Sequence, residues 1–230
     1  MGVFEYTTRG GREQNQDYLT YAEISGNISI YVVTDGMGGY ESGEVAAKVV
    51  GDAVVDYVCA HYSELKSEEL LQQAYVHANN RLMTQRKAMG NCEMGCVVVA
   101  VLVINDIAHI AWLGDSRAYI LRHGDIHYVT VDHSMLNELM AAGTFKESDR
   151  TRYESCVTRC VMGDNSSYVA GYKMLELEND DVILLCSDGL HKEVAVELLP
   201  SDDELLRRQL DALSPSMADN CTLMRIKYTL

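Results

Sequence analysis

Apolar and polar positions alternate over strand-length runs at both ends of the chain and change to helical spacing between them. Phe4 to Thr8, Tyr18 to Ala22 and Ile28 to Thr34 read as strands, the last two separated by the turn signal Gly26-Asn27. From Gly43 the period lengthens. Ala46, Val50, Ala53, Val54, Tyr57 and Val58 share one face of a helix that runs to about His61. Ser67, followed by Glu68 and Glu69, predicts an N-terminal cap with acids in the first turn. Leu70, Leu71, Ala74, Ala78 and Leu82 extend that second amphipathic helix to about Arg86, and Met89 to Glu93 break it. Cys96 to Ile104 is apolar throughout, the pattern of a strand covered on both faces, and Asn105-Asp106 turns it into Ile107 to Leu113. Arg117 to Arg122 and Ile126 to Val129 form a hairpin around His123-Gly124-Asp125. Met135 to Ala142 predicts a short helix, and the polar stretch from Gly143 to Tyr153 a mobile flap. Val169 to Leu177 and Asp181 to Ser187 read as strands, Asp203 to Leu213 as a helix, and Cys221 to Tyr228 as the closing strand. In that last strand Met224, Ile226 and Tyr228 face one way and Arg225 and Lys227 the other. So many antiparallel strands in succession predict a sandwich rather than a doubly wound parallel sheet.

Composition narrows the class. The 230 residues are 47% hydrophobic and 23% charged, and no linker-like stretch divides them, so one domain spanning 1–230 is expected. A formal charge of −15 disfavours a sequence-independent grip on nucleic acid and attraction to anionic lipid; an acidic surface accounts for most of it. The N-terminal residues show no export signal, and the longest apolar run, Cys96 to Ile104, is half of the ~20 residues a spanning helix needs. No membrane partner and a cytoplasmic location are therefore expected. Seven cysteines, an odd number, read as reduced thiols. A zinc site built from Cys92, Cys96, Cys156 and Cys160 is a minor alternative.

The candidate chemistry lies at strand ends. Ile30 to Thr34 delivers Asp35 into Gly36-Met37-Gly38-Gly39, and Val182 to Ser187 repeats the construction with Asp188-Gly189. Asp115 follows the apolar run Ile110 to Leu113, and Asp219 stands just before the closing strand. Aspartate is depleted in strands and costly to bury unpaired, so several at the ends of core strands call for a compensating cation. Their hard oxygens suit Mg²⁺ or Mn²⁺. Asp132-His133-Ser134 contains the side chains of a hydrolase triad, but consecutive residues cannot face one another as a triad requires.

Taken in order, these pieces resemble the metal-dependent Ser/Thr protein phosphatases of the type 2C class in their compact bacterial form. The resemblance covers nearly the whole chain: Arg12-x-x-Asn15-x-Asp17, Val33-Thr34-Asp35-Gly36-Met37-Gly38-Gly39, Gly43-Glu44-Val45-Ala46, Gly114-Asp115-Ser116-Arg117-Ala118-Tyr119, Thr130-Val131-Asp132-His133-Ser134, Thr158-Arg159-Cys160-Val161-Met162-Gly163, Ser187-Asp188-Gly189-Leu190 and Asp219-Asn220-Cys221-Thr222. It implies an α+β fold, a four-layer α-β-β-α sandwich of two antiparallel sheets flanked by helices, with a metal cluster at one end. It also implies roles. Asp35 would bridge two metals, the Gly36 carbonyl would be a further ligand, and Asp188 and Asp219 would complete the pair. Asp17 would act through bound water, Asp115 would hold a third, weaker ion with Asp188, and Arg12 would grip the substrate phosphate.

The implied activity is hydrolysis of phosphoserine and phosphothreonine in proteins by a metal-activated water, without a covalent intermediate. Two cations suit a phosphomonoester because they neutralise its charge and orient in-line attack, and the Arg12 guanidinium offers a planar fork for phosphate oxygens. The implied partners are phosphoproteins made by a Ser/Thr kinase, with Mn²⁺ or Mg²⁺ as cofactor and a monomer as the default state. The family often carries a histidine at the position of Met37 or Tyr40. Its absence here leaves water as the expected acid for the leaving group, with Tyr40 or His133 as substitutes. Gln16 replaces a frequent Glu, and Met94-Gly95-Cys96-Val97 replaces the usual strand start. A non-catalytic phosphoprotein-binding module on the same fold, and a two-metal hydrolase of small phosphoesters, are the alternatives.

Overall fold

The computed structural model describes residues 2–37, 42–153, 155–166 and 169–229. Gly38, Gly39 and Tyr40 lie outside them, so the glycine pair and the candidate acid Tyr40 have no structural description. Among the described residues ten strands form two five-stranded antiparallel sheets. The first carries β1 (Gly2–Thr8), β10 (Cys221–Lys227), β9 (Val182–Cys186), β6 (Arg117–Arg122) and β7 (Asp125–Val129) in that spatial order. The second carries β2 (Asp17–Ser25), β3 (Ile28–Gly36), β4 (Cys96–Ile104), β5 (Ile107–Leu113) and β8 (Gly171–Glu176).

Strand periodicity sorts the core into layers, since successive side chains leave opposite faces. In β4, Val99, Val101 and Val103 meet the other sheet, packing with Tyr31, Val33, Ile183, Leu185, Met224 and Ile226. Its alternate residues Cys96, Val98, Ala100 and Leu102 pack under α1 (Gly43–His61) and α2 (Ser67–Ala88). That double cover is why the run contains no polar position. On the far side, Leu184, Cys186, Cys221 and Leu223 pack with Leu206 and Leu210 of α6 (Asp203–Leu213). The four-layer sandwich expected from the sequence is the observed fold.

One expectation needs correction, and the structure adds detail to two others. Ser67 is the first residue of α2 rather than its cap; Lys66 holds the cap position and makes no side-chain cap hydrogen bond. Within the polar stretch from Gly143 to Tyr153, Glu147–Asp149 form a 3₁₀ turn and Arg150–Tyr153 a short helix, α4, following α3 (Met135–Ala141). Arg225, though opposite the apolar face as expected, is only 4% exposed because α6 covers it. There it pairs with Asp203 and donates to the Pro200 and Ser201 carbonyls. Among the described residues no helix is long and apolar enough to cross a membrane.

Candidate active site

The acidic residues converge because strand phase carries them there. In β3 Tyr31 and Val33 face the other sheet, so Asp35, two residues on, faces it too, at the sheet's end. Asp17 pairs directly with Asp35 in the antiparallel register and shares the phase of Leu19. The first sheet supplies Asp188, at the start of the short helix α5 (Asp188–His191) directly after β9, and Asp219, just before β10. Asp115 sits where the chain crosses from β5 in one sheet to β6 in the other. Arg12, Gln16, Asp35, Gly36, Asp115, Asp188, Asp219 and Asn220 line one cavity of about 650 Å³. Ser155, Cys156 and Val157, where the chain returns from α4, form part of its wall.

The neighbours of the two Asp-Gly pairs explain their glycines. A Cβ on Gly36 would collide with the Gly43 carbonyl oxygen at the start of α1, and one on Gly189 with the Asn220 carbonyl oxygen. Thr34, on the opposite face of β3 from Asp35, donates to the Ala47 carbonyl at 2.9 Å and so ties α1 to the strand that carries the acid.

Crowded burial sets the electrostatics. Burial, followed by the charges of Asp17, Asp188 and Asp115, pushes the Asp35 carboxyl well above its ordinary range. Asp17 is raised to about 7, chiefly by burial. Its Oδ2 accepts from the Ser187 hydroxyl at 2.7 Å, while its buried Oδ1 accepts no hydrogen bond. Burial and Asp188 raise Asp115 to about 6. Two basic side chains offset part of this charge. Arg12 Nη2 lies 2.6 Å from Asp219 Oδ2, and Lys192 Nζ lies 2.5 Å from Asp188 Oδ2 and 3.7 Å from Asp115 Oδ2. Burial works against the Lys192 charge, but Asp188 and Asp115 outweigh it and hold the ammonium above its ordinary range.

A divalent ion fits this donor set. The candidate donor atoms are hard oxygens, the buried Asp17 Oδ1 is without a partner and suits an ion-bound water, and the excess of negative charge is what a cation would relieve. Among the described residues no group of three or more acid, histidine or cysteine side chains is already closed around one point.

All seven residues singled out from the sequence (Arg12, Asp17, Asp35, Gly36, Asp115, Asp188 and Asp219) belong to this one end of the sandwich. His133, named above as a substitute acid, is not among the residues that line this cavity. Its Nδ1 accepts from the Gly114 N–H at 3.3 Å, its Nε2 faces Arg159, and burial together with Arg159 pushes it down to about 4. Two participants were given no role by the sequence reading, although Asn220 stands in one of its motifs. Asn220 accepts from the Gln16 N–H and donates to the Arg9 and Gln14 carbonyls, at 2.8–2.9 Å, fastening the loop that carries Arg12. No local pattern marks such a role. Lys192 stands four residues after Asp188, a helical spacing that was there to be read.

The protein phosphatase 2C profile matches residues 7–224. The chain is 27% identical over 241 residues to the serine/threonine phosphatase stp of Listeria monocytogenes serotype 4b, covering 98% of this chain and 96% of that one. The Mycobacterium tuberculosis serine/threonine phosphatase PstP superposes with a TM-score of 0.83 at 24% identity over 100% of this chain and 99% of that one, a likeness of fold. A structure of the PstP catalytic domain in complex with two manganese ions superposes with a TM-score of 0.80 at 25% identity, covering 100% and 98% of the two chains.

Proposed function

The chain belongs to the protein phosphatase 2C family, and from that premise we propose that it hydrolyses phosphoserine and phosphothreonine in proteins. Carboxylates from both sheets meeting in one cavity beside an arginine carry this reading. Asp35, the Gly36 carbonyl, Asp188 and Asp219 would hold two divalent ions, with Asp17 acting through an intervening water. Mn²⁺ is the preferred ion, by analogy with the manganese in the PstP complex, and Mg²⁺ the alternative. Bound there, such ions supply neutralisation of phosphoryl charge and water of lowered pKa at neutral pH.

The residues of this chain do the positioning. Arg12 presents a bidentate fork to the phosphate oxygens, and its contact with Asp219 keeps that fork at the cavity. Asn220 and Ser187 hold the backbone of the Arg12 loop and the Asp17 carboxylate in place. Water attacks phosphorus in line, the P–O bond to the serine or threonine oxygen breaks, and that oxygen takes a proton from water, since His133 is not among the residues lining the cavity. No covalent phosphoenzyme forms, and no cysteine takes part, although Cys156 lines the cavity. The substrates are phosphoproteins produced by a Ser/Thr kinase. Residues 1–230 act as one catalytic domain, monomeric and cytoplasmic, in keeping with seven free cysteines.

The test is hydrolysis of a phosphothreonine peptide with Mn²⁺, with EDTA, and by Asp188→Ala in Mn²⁺. Turnover that needs both the metal and Asp188 supports the proposal. Preference for a nucleotide monophosphate over the peptide would replace it with a small-phosphoester hydrolase, and binding without turnover with a recognition module.

A further inference from the structure

Lys192 follows the helical turn that Asp188 begins, and the four-residue spacing projects both side chains to one side. Its ammonium is 2.5 Å from Asp188 Oδ2 and 3.7 Å from Asp115 Oδ2. These carboxylate side chains are only 18% and 9% exposed. The groups around them are otherwise committed. Arg117 is held bidentately by Asp132 at 2.7 and 2.8 Å, His191 bonds the Asp115 backbone carbonyl at 2.9 Å, and Arg12 pairs with Asp219. Lys192 is thus the cation shared by Asp115 and Asp188 among the described residues.

Asp115 and Asp188 are the two carboxylates through which family resemblance would place a third, weaker metal ion. We infer that Lys192 is a tethered cation standing in for that ion, so that this chain binds two divalent ions and resists a third. The inference rests on the two-ion reading above. An ammonium fixed on the same helical turn competes as an intramolecular partner, with an effective concentration in the millimolar range or higher. It suffices against an ion held by only two protein carboxylates. The exchange has a chemical consequence: lysine neutralises charge beside Asp115 and can donate hydrogen bonds, but it cannot take a water or a phosphate oxygen as an inner-sphere ligand, so that corner supplies electrostatics without Lewis acidity.

The experiment is Mn²⁺ titration of the full chain, following free Mn²⁺ by electron paramagnetic resonance, for wild type, Lys192→Met, Lys192→Arg, Lys192→Met/Asp115→Asn and Asp35→Asn. Circular dichroism establishes that each variant is folded. The expected result is two ions for wild type and for Lys192→Arg. Lys192→Met should gain one further ion, bound roughly tenfold or more tightly than any residual third binding in wild type, and the added Asp115→Asn should abolish the gain. A wild type that already takes three ions, or a folded Lys192→Met that binds as wild type does, overturns the inference and leaves the two-ion reading intact. A wild type that binds no Mn²⁺, or one whose binding Asp35→Asn leaves unchanged, overturns both.

Discussion

At the scale of single residues, the site depends on groups that touch the phosphate or ions and on groups that hold them there. Arg12→Ala removes the proposed phosphate fork and should raise KM about tenfold or more, and Arg12→Lys should recover only part of it because an ammonium lacks the planar two-donor fork. Steady-state kinetics on a phosphopeptide checks both. Asn220 touches neither phosphate nor ion, yet it is 5% exposed and joins β10 to the loop that carries Arg12. Asn220→Ala strands one N–H and two carbonyls and should cost about 2–3 kcal/mol. A fall in the urea midpoint together with a raised KM distinguishes this from a purely structural loss, which would leave KM unchanged. The aspartates were legible in the sequence because an acid closing an apolar run is locally anomalous. Asn220 was not, because its three partners lie more than 200 positions away and no local pattern encodes them.

At the scale of elements, the sandwich is held by helices whose apolar stripes match the outer faces of the sheets. In α6, Leu206 and Leu210 are fully buried against Leu184 and Leu223, on the sheet face away from the other sheet. Leu210→Ala should lower stability by about 2–5 kcal/mol, measured by urea unfolding, while kcat/KM under native conditions stays near wild type. Gly189→Ala should behave oppositely. Its Cβ would meet the Asn220 carbonyl, so β9 and β10 must part just where Asp188 and Asp219 are carried, and turnover should fall further than the unfolding midpoint suggests. Most element boundaries were readable from periodicity. The exceptions have local causes: α5 is a single turn, too short to show a period, and Lys66, whose side chain forms no cap hydrogen bond, gave no signal that α2 begins at the next residue.

At the scale of the whole molecule, folding gathers like charges at one end and leaves the chain acidic overall, at −15. Asp17 is raised to about 7 in the folded chain, against an ordinary value near ~3.9 for an unfolded aspartate. The native state therefore holds more protons than the unfolded state between those values. Metal-free protein should lose stability as pH rises through that window, reaching the full penalty above about 7. Asp115, raised to about 6, acts in the same direction. Thermal melts in EDTA should show a lower Tm at pH 8 than at pH 5, and saturating Mn²⁺ should reverse the order, because an ion displaces those protons and binds better as pH rises. The sequence by itself determined the sandwich, since strand phase and apolar content are properties of neighbours in the chain. It also determined the acids at the strand ends and, through their ordered motifs, the family resemblance. Only the tertiary structure decided that Asp17 lies opposite Asp35, that Arg12 reaches Asp219, and that Lys192 sits between Asp115 and Asp188. Those relations depend on strand register and on two sheets meeting, and contacts between distant segments leave no period in the chain.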